Sequence, residues 1–224
     1  MSTVLVVDVG GNHIKVLASG EQESRRADSG PNMTSAQMVE AAKKLADDWT
    51  WDSVSVGIPS PVHGGRVVAE PANLGKGWVD FDYESAFGKP TKVVNDAAMQ
   101  ALGSYEGGKM LFIGLGTGLG SALVANGFVQ PMELGHLPYK KATFEDYAGR
   151  AGLDRRGKER WLSDVADIVA KLTAALEPDY VVLGGGNAKK LDELPPNARL
   201  GANSDAFTGG FRLWDPDSPA QIGA

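Results

Sequence analysis

The chain has no cysteine among its 224 residues. That excludes disulfides, thiolate nucleophiles and cysteine-ligated zinc together, and it suits a reducing compartment. Histidine is scarce as well, with 3 residues; His13 and His63 stand in no partner pattern, and neither is read as functional. Positive charge is not in excess, since Asp and Glu outnumber Lys and Arg by 28 to 22, for a net charge of −6. A general nucleic-acid binder is disfavoured on that ground. No apolar run approaches the roughly 20 residues of a membrane helix. No basic segment leads into a long apolar one at the start. The expectation is therefore a cytoplasmic protein with neither nucleic acid nor membrane as partner. Low-complexity segments and long linkers are missing too. The 42% of apolar residues is enough for a packed core.

What is present is a repeat. Residues 4–18 read VLVVDVGGNHIKVLA and residues 110–125 read MLFIGLGTGLGSALVA. Each is an apolar run, a turn with several glycines and a second apolar run, and self-similarity of this kind is weighed before local motifs. Strands are expected over 3–9 and 13–18, at 54–58 before Pro59 and Pro61, and at 92–94. The second half offers strands at 110–115, 121–125 and 180–183. A helix over 34–49 starts with capping-box spacing at Thr34 and Gln37 and places Met38, Ala42, Leu45 and Trp49 on one face. Shorter helices are expected at 97–105 and 143–150, and a longer one over 158–176 with Trp161, Val165, Ile168, Leu172 and Ala175 on one stripe. Residues 63–79, rich in Gly, Pro and Asn, read as a loop with at most short strands. The tail from Leu213 is polar and pattern-free, so it is expected to fray. Gly107-Gly108 divides the chain into an N-terminal lobe, 1–108, and a C-terminal lobe, 109–224.

The chemistry sits at the turns. In D-V-G-G-N-H-I-K (Asp8 to Lys15), Gly10 and Gly11 permit a tight turn whose N–H groups face an anion. Asp8 ends a buried strand, where a Mg²⁺-bound water would satisfy its carboxylate, and Lys15 suits a phosphate. G-L-G-T-G-L-G (Gly114 to Gly120) is not the dinucleotide fingerprint, because Leu119 stands where the third glycine belongs and a strand-like run follows. Thr117 can donate to a phosphate oxygen. A plain hairpin turn remains the alternative at each site, and the repetition weakens it. Asn95 and Asp96 follow a buried strand, where either residue can cap a helix. Asn95 can equally bind a sugar hydroxyl, and Asp96 can take a proton as that hydroxyl attacks phosphorus. Glu133, His136 and Glu145 follow the second turn and suit ring hydroxyls, although a buried structural histidine is the alternative for His136. Gly184-Gly185-Gly186 lie at the carboxyl end of a strand, where open α/β sheets bind ligands. Trp49, Trp51 and Trp161 read as core. Lys140-Lys141 and Arg155-Arg156-Gly157-Lys158 are either solvated surface or a path for a polyanion.

In this order the motifs resemble those of the ROK family of sugar kinases, over about residues 3–210. Besides the two glycine turns, the resemblance rests on G-I-P-S-P-V (Gly57 to Val62), A-N-L-G-K-G-W (Ala72 to Trp78), V-N-D-A (Val94 to Ala97), E-L-G-H (Glu133 to His136) and F-E-D-Y-A-G-R (Phe144 to Arg150). It implies an α/β fold of the two-lobed actin-like ATPase type, related to ribonuclease H, with duplicated mixed sheets flanked by helices. It implies that Asp96 is the general base and that Asn73, Asn95, Glu133, His136 and Glu145 hold the sugar. Phosphate contacts would come from Asp8, Gly10, Gly11, Asn12, Lys15, Gly116, Thr117 and Gly118, with Gly184, Gly185 and Gly186 near the donor and Asp8 beside Mg²⁺. The cysteine-rich zinc motif of many members is missing, so no zinc is expected and His136 is not expected to be a ligand. The short length and P-A-N-L-G-K-G-W resemble the polyphosphate glucokinase branch. A glucose kinase using polyphosphate, ATP or both is implied, and a homodimer. The rivals are a polyphosphate or nucleotide hydrolase of the same fold and a non-catalytic sugar sensor.

Overall fold

The computed structural model describes residues 3–202 and 204–222. Strands β1 (Val4–Val9) and β2 (His13–Ala18) form the first hairpin, followed by β3 (Arg25–Asp28), helix α1 (Ser35–Leu45) and β4 (Ser53–Ile58). A small hairpin of β5 (Val62–His63) and β6 (Arg66–Val67) leads to α2 (Tyr83–Phe87), β7 (Thr91–Asn95) and α3 (Asp96–Ser104). The second half runs β8 (Met110–Leu115), β9 (Leu119–Ala125), β10 (Phe128–Met132), β11 (Pro138–Tyr139), β12 (Ala142–Thr143), α4 (Phe144–Ala148), α5 (Arg150–Arg156) and α6 (Lys158–Leu176). It continues with β13 (Tyr180–Gly184), β14 (Ala198–Leu200), α7 (Asp205–Arg212) and β15 (Gln221–Ile222).

The sheets run β3-β2-β1-β4-β7 and β14-β13-β8-β9-β10-β15. In the first, β1 and β3 are antiparallel to β2, while β4 and β7 continue parallel to β1. In the second, β9 pairs antiparallel with β8 and β10, and β13 and β14 continue parallel to β8. The repeat in sequence is thus a repeat in topology, with β15 added at one edge. The unbroken apolar runs follow from two-sided burial. Leu5, Val7 and Val9 pack with Met38, Ala42 and Phe87 beneath α1 and α2, whereas Val4 and Val6 pack with Met99 and Phe207 of α3 and α7. In the second sheet Leu111, Ile113 and Leu115 meet Trp161, Val165 and Ile168 of α6, and Met110 and Phe112 meet Ala98, Ala101 and Leu102 of α3.

Helix α3 is therefore shared by the two sheets, and α7 locks it there. A Cβ on Gly103 would collide with backbone of Asp205, and one on Gly209 with backbone of Met99, so glycine is what lets these helices cross backbone to backbone. Arg212 then donates to the carbonyls of Leu102, Gly103 and Tyr105 at 2.7, 2.9 and 3.1 Å, capping the carboxyl end of α3.

Several expectations are corrected. The first helix ends at Leu45, and Trp49 lies beyond it with the Arg25 guanidinium 4.0 Å from its ring centroid. Ala175 is exposed, and the α6 stripe passes from Leu172 to the partly buried Leu176 instead. The tail does not fray over its described part, because β15 pairs with β10 and the Trp214 indole donates to Ser55 Oγ at 3.0 Å. Residues 223 and 224, on which the rest of that expectation falls, lie outside the described residues. The expected helix over 143–150 is α4, with α5 starting immediately after Gly149. Strands β3, β10 and β14 and helices α2 and α7 were not expected. Among the described residues no helix is long and apolar enough to cross a membrane.

Candidate functional site

The first turn is built by the β1–β2 ladder. Gly10 N–H donates to His13 O at 2.9 Å, and Ser29 Oγ donates to Gly10 O at 2.5 Å. Asp8 and Lys15 are direct cross-strand partners, and Lys15 Nζ donates to Asp8 Oδ2 at 3.4 Å. Asn12 is exposed at the tip, and its carbonyl accepts from Ser29 N–H at 2.9 Å.

The second turn is held from below. Gly116 N–H bonds Gly118 O at 3.1 Å, and Arg150 N–H bonds Thr117 O at 3.0 Å. Asn187, itself buried, donates its backbone N–H to Leu115 O at 2.9 Å and its side-chain amide to Gly116 O at 3.0 Å. The glycine run before it serves packing. Gly184 has the Phe112 ring where its Cβ would stand, and Gly185, at φ +82°, lies against the Leu115 backbone. Asn187 was legible in sequence only as the end of that run, and nothing local marked it as the brace of another turn.

The two turns meet. A Cβ placed on Gly11 would lie 3.3 Å from Asn73 Cβ and 3.8 Å from Thr117 Oγ1. The space left free by this one glycine is thus bordered by the loop after β6 and by the turn of the other sheet. Glu145 of α4 reaches the same place, accepting Leu119 N–H at 3.0 Å, and its carboxylate occupies the space a Cβ on Gly118 would need.

Asp96 begins α3. Its Oδ1 accepts Ala97 N–H at 2.8 Å, yet its pKa is pushed up to about 7 by burial, with the Asp8 and Glu133 charges adding to the shift. Burial also raises the Glu133 carboxyl; His136 opposes that rise and Glu145 adds to it. Asp8 and Glu133 are thereby within electrostatic reach of Asp96, and His136 and Glu145 within reach of Glu133. His136 is exposed, not a buried structural histidine. Asn95 caps α3: its Oδ1 accepts Ala98 N–H at 3.1 Å and its Nδ2 donates to Ser60 O at 3.2 Å. One amide proton and one lone pair remain for a ligand. Lys140 and Arg156 turn inward onto the buried Asp164, and Lys158 pairs with Asp192 at 2.7 Å.

The Asp8 carboxylate is half-buried with one lysine partner, and a second carboxylate stands close to it. That suits Mg²⁺, which keeps several waters and takes one or two carboxylates together with substrate phosphates. Among the described residues no group of three or more His, Asp or Glu side chains is arranged to hold a metal ion.

Comparison with known proteins agrees with this fold. Polyphosphate glucokinase from Mycobacterium tuberculosis is 28% identical over 149 residues, which is 60% of this chain and 56% of that protein. The chain thus spans about half the length of the curated relatives it matches. The crystal structure of inorganic polyphosphate/ATP-glucomannokinase from Arthrobacter sp. strain KM superposes with a TM-score of 0.81 at 25% identity, covering 93% of this chain and 96% of that one. A ROK family glucokinase from Streptomyces griseus in complex with glucose and AMPPNP shares the fold, with a TM-score of 0.70 at 18% identity over 92% of this chain and 97% of that one. The sequence model of the ROK family matches residues 4–152, well over half of the chain, which therefore belongs to the ROK family.

Proposed function

We propose that this chain is a hexose kinase that transfers a phosphoryl group from polyphosphate, ATP or both to glucose, giving glucose 6-phosphate. The carrying observation is that Asn73 and Thr117 border the side-chain space Gly11 leaves empty, in a chain whose Asp96 carboxyl is raised to about 7. Two anion-binding turns of duplicated topology meet there, next to a base with a pKa near neutrality, where general bases work best. The polyphosphate relatives support the choice of donor, and the Streptomyces griseus complex supports glucose.

In this reading Asp96 accepts the proton of the sugar hydroxyl as its oxygen attacks the terminal phosphorus. The N–H groups of Gly11 and Gly118 and the Thr117 hydroxyl hold donor phosphates, while the Gly10 and Gly116 N–H groups, bonded to His13 O and Gly118 O, shape the turns, so catalysis is positioning with electrostatic stabilisation. Asn12 and Lys15 flank the same phosphates, and Gly184, Gly185 and Gly186 back the donor side. Asn73, Asn95, Glu133, His136 and Glu145 orient the sugar. Mg²⁺ beside Asp8 supplies charge neutralisation on the donor. The lobes divide near Gly107-Gly108, and the functional unit is a cytoplasmic homodimer.

The test is a coupled assay for glucose 6-phosphate, with glucose and Mg²⁺ present and ATP or polyphosphate supplied separately. Product with either donor is expected. Phosphate release that needs no sugar, with no sugar phosphate formed, would overturn the reading in favour of a hydrolase. Sedimentation of the purified protein checks the dimer.

A further inference from the structure

The carboxylate of Asp164 is only 1% exposed, lies outside the site and yet engages two cations. Helix α6 carries it. Lys140, at the tip of the β11–β12 hairpin, approaches one oxygen, and Arg156, at the end of α5, approaches the other. A buried carboxylate is retained only when paired, so these cations are held where they are by Asp164.

Lys140 is unusual in a second way. Its φ is +53°, in the left-handed region that favours glycine. A lysine there costs backbone energy, and its ammonium also sits over the rings of Tyr139 and Tyr147, 4.8 and 5.4 Å from their centroids. Tyr139 OH in turn donates to Asp167 of α6 at 2.7 Å. The hairpin tip is therefore fastened to α6 at adjacent residues.

What this hairpin separates is the sugar side of the proposed site. Upstream of the hairpin, Glu133 precedes and His136 ends a single 3₁₀ turn, Leu134–His136, and Glu145 lies in α4 directly after the hairpin. The two arms are closed by Phe144 N–H bonding Leu137 O at 3.0 Å, and Glu133 feels both His136 and Glu145 electrostatically. The hairpin is the covalent link between His136 and Glu145.

We infer that Asp164 and Lys140 form an ionic pin that positions Glu133, His136 and Glu145 for the sugar, making both of them positioning residues for ligand they never touch. The inference rests on the hexose-kinase reading for its substrate. It assigns the Lys140 charge inward, to the fold, instead of outward to a polyanion.

The test uses Lys140→Gly, Lys140→Ala and Lys140→Arg in the full chain. Glycine removes the charge and also relieves the left-handed backbone, so a higher Tm for Lys140→Gly than for Lys140→Ala is expected. Despite that gain, the KM for glucose is expected to rise about tenfold in both, with the KM for the phosphoryl donor within twofold of the parent. Lys140→Arg is expected to recover most of the glucose KM. A glucose KM unchanged in Lys140→Gly, or a donor KM that rises in step with it, overturns the pin. If the parent phosphorylates no sugar, the functional reading fails separately, and hydrogen exchange decides the pin. Faster exchange at the Phe144 and Leu119 amides in Lys140→Gly supports it, and unchanged exchange overturns it.

Discussion

At the end of β1, Asp8 faces Lys15 across the ladder, and in the parallel direction it faces Gly57. At the matching position of the second sheet, Gly114 faces Gly120 across the ladder and Gly184 in the parallel direction. The backbones follow one plan, but the charges lie on one side only. The first turn brings its own carboxylate and ammonium. The second brings none from its ladder and is instead braced by Asn187 and overhung by Glu145 from α4. Duplication explains the shared cradle, and the asymmetry lets the same backbone device face different parts of one reaction. In the proposed chemistry the charged turn lies on the metal side, and the neutral turn adjoins the sugar-side carboxylates.

The largest effect that would sharpen this comparison is at Asp96, which stands between the turns. Asp96→Asn is expected to lower kcat at least about 100-fold while glucose binding by calorimetry survives. A well-folded, fully active variant would end the assignment. The next contrast lies within the second turn. Gly118→Ala meets the Glu145 carboxylate, whereas a Cβ on Gly116 meets nothing within 4 Å. Steady-state kinetics should show kcat/KM for sugar falling about tenfold or more in the former, about 1.4 kcal/mol, because the Glu145 carboxylate must move aside, and little change in the latter. Equal effects would break the distinction.

The pH profile gives a further separation. With Asp96 raised to about 7, kcat/KM should climb with pH through about 7 as the base ionises. Stability moves the other way. Between the ordinary carboxylate range and about 7 the folded protein holds a proton that the unfolded chain has released, so unfolding free energy falls as pH rises across that window. The whole effect is at most about 4 kcal/mol at about 1.4 kcal/mol per unit. Asp96→Asn should remove it, so denaturant melts at pH 5 and pH 8 should differ less in the variant than in the parent. The smallest effect is remote from both turns. Thr34→Ala breaks the capping box of α1 and should cost about 1 kcal/mol, read as a lower Tm with kinetics unchanged.

Much of this architecture was legible because its signals are local. Apolar runs and glycine turns marked β1, β2, β8 and β9, and Thr34 with Gln37 marked the start of α1. The elements that escaped lack such signals. β3 is the polar run Arg25 to Asp28 at a sheet edge, and β10 contains Pro131, which is tolerated because, among the described residues, β15 pairs only with Phe128 and Val129 and leaves that side of Pro131 without a ladder partner. One cue for β10 was available: Asn126 and Gly127, both at positive φ, are the pair that favours a tight hairpin. The site followed the same divide. The glycines and carboxylates could be read from motif order, but Asn187 and Arg150 support the second turn from afar. The inward direction of Lys140 depends on a buried aspartate 24 positions away, which no local pattern announces.

The crossing of α3 and α7 bears on how the chain acquires its structure in time. Ser55 Oγ donates to Gly210 O across 155 positions of sequence, and Val6 of the first strand packs into the space left free by Gly210. One face of the strand made earliest is thus sealed by a helix made late. Contacts so distant in sequence slow folding because a long loop must close before they form. Until residues 205–214 have been made, the helix bearing Asp96 has no lock, so the proposed centre is completed only after they have arrived.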